Sequence, residues 1–163
     1  MRHSSGRACF IVACAVALGG CGSHSAPAGR SVSPDVLAKL AVLKVATFQY
    51  VDSVNTISNL EGMVHVPASA NLTVSGWAVD SPNSRPAAAV WIDIDGKLYQ
   101  SSYGIPRPDV VNVLKVPSYA PSGFIAVIPM SELNNGVHRL TLKIVNYDSS
   151  GYYIGRSVQF DVQ

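Results

Sequence analysis

The chain changes its hydrophobic rhythm three times. Residues 8–18 form an apolar run behind a basic start at Arg2, His3 and Arg7. That run is about eleven residues, whereas a bilayer span needs about twenty, so it reads as the centre of an export signal covering residues 1–20. Residues 22–33 (GSHSAPAGRSVS) offer almost nothing to bury and read, with Cys21, as a flexible tether over 21–33. Ser33-Pro34-Asp35 then supplies a helix cap, a first-turn proline and an early acid. Val36, Leu40 and Leu43 recur at helical spacing and predict a short helix over 34–44. So short a helix has to dock on a neighbour to be stable.

From residue 45 the period becomes two. Leu72, Val74, Gly76 and Ala78 alternate with Asn71, Thr73, Ser75 and Trp77, and Val90, Ile92 and Ile94 alternate with Trp91, Asp93 and Asp95. Asp95-Gly96 between alternating runs is a hairpin signal. Phe124, Ala126 and Ile128 form another inward set, as do Leu140, Leu142 and Ile144, and Val158, Phe160 and Val162 close the chain. About seven or eight short strands with turns at this spacing predict an all-β sandwich or barrel over 45–163. A short helical turn is expected at residues 109–114, with Asp109 as its cap.

Composition narrows the partners. The formal charge of +2 includes Arg2 and Arg7; without them, ten basic residues face ten acidic ones. No basic stripe remains to follow a phosphate backbone, so nucleic acid is not an expected partner. Of Cys9, Cys14 and Cys21, two fall in the signal, which leaves no disulfide and no cysteine metal site in the mature chain.

Leu18-Gly19-Gly20-Cys21 resembles the lipobox of bacterial lipoproteins. The resemblance implies cleavage between Gly20 and Cys21, lipidation of Cys21 and anchoring in the cell envelope. Gly22, in place of an aspartate, implies the outer membrane. Further on, Gly76-Trp77-Ala78-Val79-Asp80, Ile94-Asp95-Gly96, Tyr103-Gly104, Arg107-Pro108-Asp109-Val110, Ser122-Gly123-Phe124 and Gly136-Val137-His138 together resemble a bacterial immunoglobulin-like module. That resemblance implies an immunoglobulin-like antiparallel β-sandwich and brings no enzymatic activity with it.

Several residues stand out as candidates for chemistry. Trp91 is out of phase with Val90, Ile92 and Ile94 and points away from the core. Trp77 would share its outer face if the two strands are adjacent, giving a stacking platform unless the helix covers both or the phase slips at a bulge near Gly76. Tyr147, Tyr152 and Tyr153 flank one hairpin tip and offer a second edge. Arg107 either pairs with an acid such as Asp80 or Asp93, or stays exposed to read an acidic partner or a sugar. Asp93-Ile94-Asp95-Gly96 has the opening letters of a calcium loop but lacks the remaining ligands, so a hairpin turn is the better account and no metal is expected. No HExxH, nucleophile elbow, P-loop or dinucleotide fingerprint is present, so no catalytic residue and no cofactor is expected. The expectation is a lipid-anchored, non-catalytic binding module whose partner is another envelope protein. A glycan-binding module is the alternative, and a small envelope hydrolase using His65 or His138 is a second one.

Overall fold

The structure, a computed structural model, describes residues 32–69 and 71–163. The signal, Gly20, Cys21 and the tether up to residue 31 lie outside the described residues. Ser33 caps α1 (Pro34–Leu37) as its sequence predicts, its hydroxyl accepting from the Val36 N–H at 3.3 Å. The helix is a single turn rather than the whole of 34–44. Leu37, and not the Val36–Leu40–Leu43 stripe, is its buried residue. The chain then extends into β1 (Ala41–Leu43), crosses to β2 (Gln49–Val54) and returns in β3 (Met63–Val66).

β4 (Leu72–Asp80) turns Leu72, Val74 and Ala78 inward, and β5 (Arg85–Pro86) is a short return beside its end. β6 (Ala89–Ile94) buries Val90, Ile92 and Ile94 and joins β7 (Lys97–Gln100) through Asp95-Gly96. Both turn residues have positive φ, 51° and 90°, as the tight hairpin turn requires. β8 (Ser102–Ile105) leads into α2 (Pro108–Leu114) and a 3-10 turn at Pro117–Tyr119. β9 (Gly123–Ile128), β10 (Gly136–Val145) and β11 (Gly151–Val162) complete the chain.

The strands form two sheets. One has the order β1-β11-β10-β6-β7 with β3 also on β11; the other has the order β2-β4-β9-β8 with β5 on β4. Their inner faces meet in a core that includes Val51, Leu72, Phe124, Ile128, Leu140, Leu142 and Phe160, each 1% exposed or less. Full burial of one such side chain stabilises by roughly 1.5–3 kcal/mol. The strand order is that of an immunoglobulin-type sandwich. Three expectations need correction. Among the described residues there are eleven strands rather than seven or eight, because short edge strands leave no clear period. The sheets are not wholly antiparallel, since β1 and β3 both pair with β11 in parallel. Residues ahead of 45 also belong to the packed body, because Val32 and Leu37 are themselves buried.

Two further clusters sit outside the sheets, both at the end where the β10–β11 hairpin turns. Val32 and Leu37 cover Trp91, Ala88, Ala89 and Val145 on the six-stranded sheet. Val110 and Tyr119 cover Val79 on the five-stranded sheet, with Trp77 partly buried beside them. Between the caps lies Asp80, which is 0% exposed. Its carboxyl oxygens accept from the Asn83 amide at 2.8 Å, the Tyr147 N–H at 2.9 Å and the Tyr153 hydroxyl at 2.6 Å. Burial, and then the bond to Asp80, pushes the Tyr153 phenol well above its ordinary pKa. Asp80 ends β4 in one sheet, whereas Tyr153 lies on β11 of the other and Tyr147 in the turn between β10 and β11. We expect Asp80→Ala, which strands the Tyr147 N–H and the Tyr153 hydroxyl without an acceptor, to cost about 3–5 kcal/mol in urea denaturation. Tyr153→Phe should cost about 1–2 kcal/mol, since it removes one of the three bonds. Equal costs would refute Asp80 as the tie between the sheets.

Candidate binding face

The outer face of the five-stranded sheet carries the most developed surface chemistry. Tyr50 on β2 lies opposite Trp77 on β4, and Ser53 lies opposite Ser75. On the next strand Ile125 and Val127 face Ser75 and Thr73. α2 begins with Pro108 in its first turn and ends at Lys115 in a left-handed cap with φ 60°. It covers the Val79 end of this face and leaves the Ser75–Ile125 stretch open.

Arg107 links the covered part to the open part. Its N–H donates to the Ala120 carbonyl at 2.7 Å, which fixes the backbone as the chain enters α2. Its guanidinium donates to both carboxylate oxygens of Asp109, at 2.9 and 2.6 Å, and to Asp52 on β2 at 2.6 Å. The Arg107 side chain is half-buried against the sheet, and Gly123 makes room for it. A Cβ on Gly123 would lie 2.8 Å from the Ile105 carbonyl and 3.1 Å from the Arg107 Cγ. Arg107 holds the Asp109 carboxyl down at about 2, and the two aspartates in turn raise the guanidinium. All five guanidinium N–H bonds are fixed in geometry, so three that point at these acids are committed to them.

The structure corrects several site expectations. Trp77 and Trp91 stand on different sheets and face opposite sides of the sandwich, so they form no common platform. Trp91 does turn away from the inter-sheet core, but it is 2% exposed beneath Val32 and Leu37. The three tyrosines part company as well. Tyr153 is core, Tyr152 packs against the Trp91 cluster with Lys143 over its ring, and Tyr147 alone is exposed, under Arg85 at 5.5 Å. Arg107 pairs with Asp52 and Asp109, not with Asp80 or Asp93. Asp109 makes no cap; Arg107 occupies the cap position without a side-chain cap bond. Asp93 pairs with Lys143 and accepts from the Gly96 N–H, so it shapes the hairpin.

Sequence reasoning missed Tyr50, Asp52, Ile105, Ile125 and Val127. The alternation that places Phe124, Ala126 and Ile128 inside already sends Ile125 and Val127 outward. Asp52 was less accessible, because a bulge between Val51 and Ser53 shifts the phase of β2 there.

The opposite end of the sandwich is held differently. His138 stacks on Phe160 with ring centroids 5.2 Å apart. Its Nδ1 faces the Asp95 carboxylate at 2.7 Å and its Nε2 faces the Asn134 carbonyl at 2.7 Å. Both ring nitrogens meet acceptors, which is the geometry of a doubly protonated imidazole. Burial alone pushes the ring down, but the Asn134 carbonyl and the Asp95 carboxylate outweigh it and raise its pKa. The Arg139 N–H and then His138 lower Asp95. His65 meets Asp161 and Gln163 at the same end. Among the described residues neither histidine hydrogen-bonds a serine hydroxyl. An open groove nearby is lined by Asn55, Thr56, Ile57, Pro67, Asn71 and Thr73, none of which is ionisable at neutral pH.

The fold and this face define a class: an immunoglobulin-type β-sandwich with an open apolar sheet face beside an arginine–carboxylate clamp. No family model matches the chain, and no curated protein matches it. Among the solved structures similar to it are two of low identity. One is the endo-β-1,4-mannanase from Thermotoga petrophila, with a TM-score of 0.45 and 8% identity over 74% of this chain. This chain spans 20% of that enzyme's length. The other is CopC from Methylosinus trichosporium OB3b, with a TM-score of 0.38 and 16% identity, covering 71% of this chain and 94% of that one. Neither likeness carries an activity or a ligand to this chain.

Two measurements check the geometry. Arg107→Met should lower stability by about 1–2 kcal/mol in urea, reduced from a fully buried pair by the exposure of Asp52 and Asp109. A cost no greater than about 0.3 kcal/mol would make the clamp an ordinary surface pair. The Asp95–His138 pair predicts a pH window. Asp95 is lowered from 3.8, so its contribution is present above that pH and is lost as pH falls through the folded value. His138 is raised from 6.5, so its contribution is present below that pH and is lost as pH rises through the folded value. The pair therefore acts fully between pH 3.8 and 6.5. The urea midpoint should fall from the acidic to the alkaline side of neutrality more steeply in the parent than in His138→Gln. Parallel curves would remove the histidine from the account.

Proposed function

We propose that this chain is a lipid-anchored, non-catalytic binding module of a bacterial cell envelope that holds a protein partner on the open face of its five-stranded sheet. The anchoring rests on the export signal and on the Leu18-Gly19-Gly20-Cys21 box. The binding role rests on one observation: Tyr50, Ile105, Ile125 and Val127 are all exposed on the strands beside the Arg107 clamp, Val127 to 59%. Aromatic and arginine side chains concentrate binding energy at protein interfaces, where apolar neighbours exclude water.

A protein fits this face better than a glycan. Ile105, Ile125 and Val127 are aliphatic and offer no ring for a sugar to stack on. Tyr50 already carries Arg156 over its ring at 5.4 Å. The donors that Arg107 points toward the open face are taken by Asp52 and Asp109. The other aromatic candidates for a glycan platform are buried or divided between faces. Tethering at a membrane raises the effective concentration of neighbouring proteins, which lets a modest contact suffice.

The test uses the full chain in its own envelope. Metabolic labelling with palmitate should mark the parent and not Cys21→Ser, which should leave the membrane fraction. A photocrosslinking residue at Ile125 or Val127 should give one discrete protein adduct. The same residue at Ser157, on the other sheet, should not. Purified partner should bind the Tyr50→Ser, Val127→Asp variant at least tenfold more weakly. Adducts of equal pattern from both sheets, or quenching of fluorescence by soluble glycans in place of any protein adduct, would overturn the reading.

A further inference from the structure

We infer that the end of the sandwich where the chain enters, marked by Val45, Phe48 and Tyr147, lies against the lipid surface. This rests on the anchor proposed at Cys21. Val32 is the first described residue and is buried in the cap over Trp91 at the β10–β11 hairpin end. Only residues 22–31 separate it from Cys21, so even a fully extended link spans at most about 40 Å. A body held that closely at one end meets the bilayer with that end more readily than with the opposite one.

The surface there suits such contact. Strand register puts the start of β2, the end of β4, the start of β6 and the β10–β11 tip at this end. Phe48, whose carbonyl accepts from the Val79 N–H, is 54% exposed just before β2. Val36, Val45 and Tyr147 are exposed around the same end. Such side chains gain by entering the headgroup region, and tyrosine in particular favours that interface. Lys39, Lys44 and Arg85 are exposed beside them and enter no ion pair among the described residues. Of the acids at this end, Asp148 is turned into its own hairpin by Asn146 and Ser150, and Asp35 is exposed. Arg85 lies over the Tyr147 ring, and cations that face no carboxylate beside exposed apolar side chains match anionic headgroups over acyl chains. At the far end Asp95, Glu132 and Asp161 stand among the cations, with Lys97 committed to Glu132 and His138 to Asp95, and Arg139 exposed.

The experiment uses the full, lipidated chain in phosphatidylcholine vesicles with and without phosphatidylglycerol. With the signal removed and Cys21 acylated, an introduced cysteine is the one free thiol. An environment-sensitive fluorophore is placed at Phe48→Cys, at Tyr147→Cys and, as the far-end control, at Val137→Cys. All three positions are exposed, so the labelled chains should keep the parent melting temperature. Quenching by spin-labelled lipid should be several-fold stronger at 48 and 147 than at 137, and stronger again with phosphatidylglycerol. Lys44→Glu, Arg85→Glu should remove the phosphatidylglycerol increment. Chains that float with the vesicles but quench equally at all three positions would overturn this orientation and leave the anchor standing. Chains that fail to float would overturn the anchor and this inference with it.

Discussion

A carboxyl group taken wholly out of water sets the terms for the rest of this fold. Apolar contact between two sheets is non-directional and tolerates sliding; a buried carboxyl does not, because each of its oxygens has to find donors at fixed geometry. Asp80 ends β4 in one sheet and takes its donors from Asn83, from Tyr153 of the other sheet and from Tyr147 in the turn before it. The β10–β11 hairpin is thereby pinned to the end of β4. Neighbouring bonds extend the knot. Tyr103 donates to the Ala78 carbonyl and accepts from the Ala87 N–H, and Thr47 reaches the Val79 carbonyl and Ser81. Burial drives the Tyr103 phenol far above its ordinary pKa, which keeps that hydroxyl a donor as well as an acceptor. The two caps, over Trp91 and over Val79, flank this knot. One end of the sandwich is therefore polar at its centre and apolar on both shoulders.

Much of the inter-sheet core was legible in the sequence because period-two burial is a local signal. Each residue of the Leu72, Val90, Phe124 and Leu140 sets is placed by its immediate neighbours. The Asp95-Gly96 hairpin and the Ser33 cap were legible for the same reason. What was hidden depends on distant partners. β1 and β3 lie along β11, roughly a hundred residues later in the chain, and nothing local in three or four residues specifies such a pairing.

The tryptophans show a subtler failure. Alternation places Trp91 out of phase with Val90 and Ile92, and it does point away from the space between the sheets. Pointing out of one core is a different property from pointing into water. The segment that begins at Val32 lies over Trp91, just as α2 lies over much of Trp77. Tyr153 misleads in the opposite sense: a tyrosine near a hairpin tip reads as surface, yet its hydroxyl is what Asp80 requires. Arg107 was singled out for its motif, but its partner Asp52 sits in a bulge, where counting alternate residues loses the face. The candidate face is thus half visible in the sequence. Its aliphatic row follows from alternation, and its polar clamp follows only from the fold.

Where the body begins is decided by burial and not by the change of rhythm at residue 45. A domain cut there would lose the Val32–Leu37 cover and leave the Trp91 indole facing solvent. It would also strip β1 from the first residues of β11, opening a free strand edge, a feature that invites pairing with other chains. Gly151 shows how closely that edge is filled, since a Cβ there would come within 2.8 Å of the Ala41 carbonyl and of the Leu43 side chain. Residues 32–43 therefore complete the sandwich. They close its outer face over Trp91 and seal the edge of β11, so one short segment completes both a face and an edge of the sandwich.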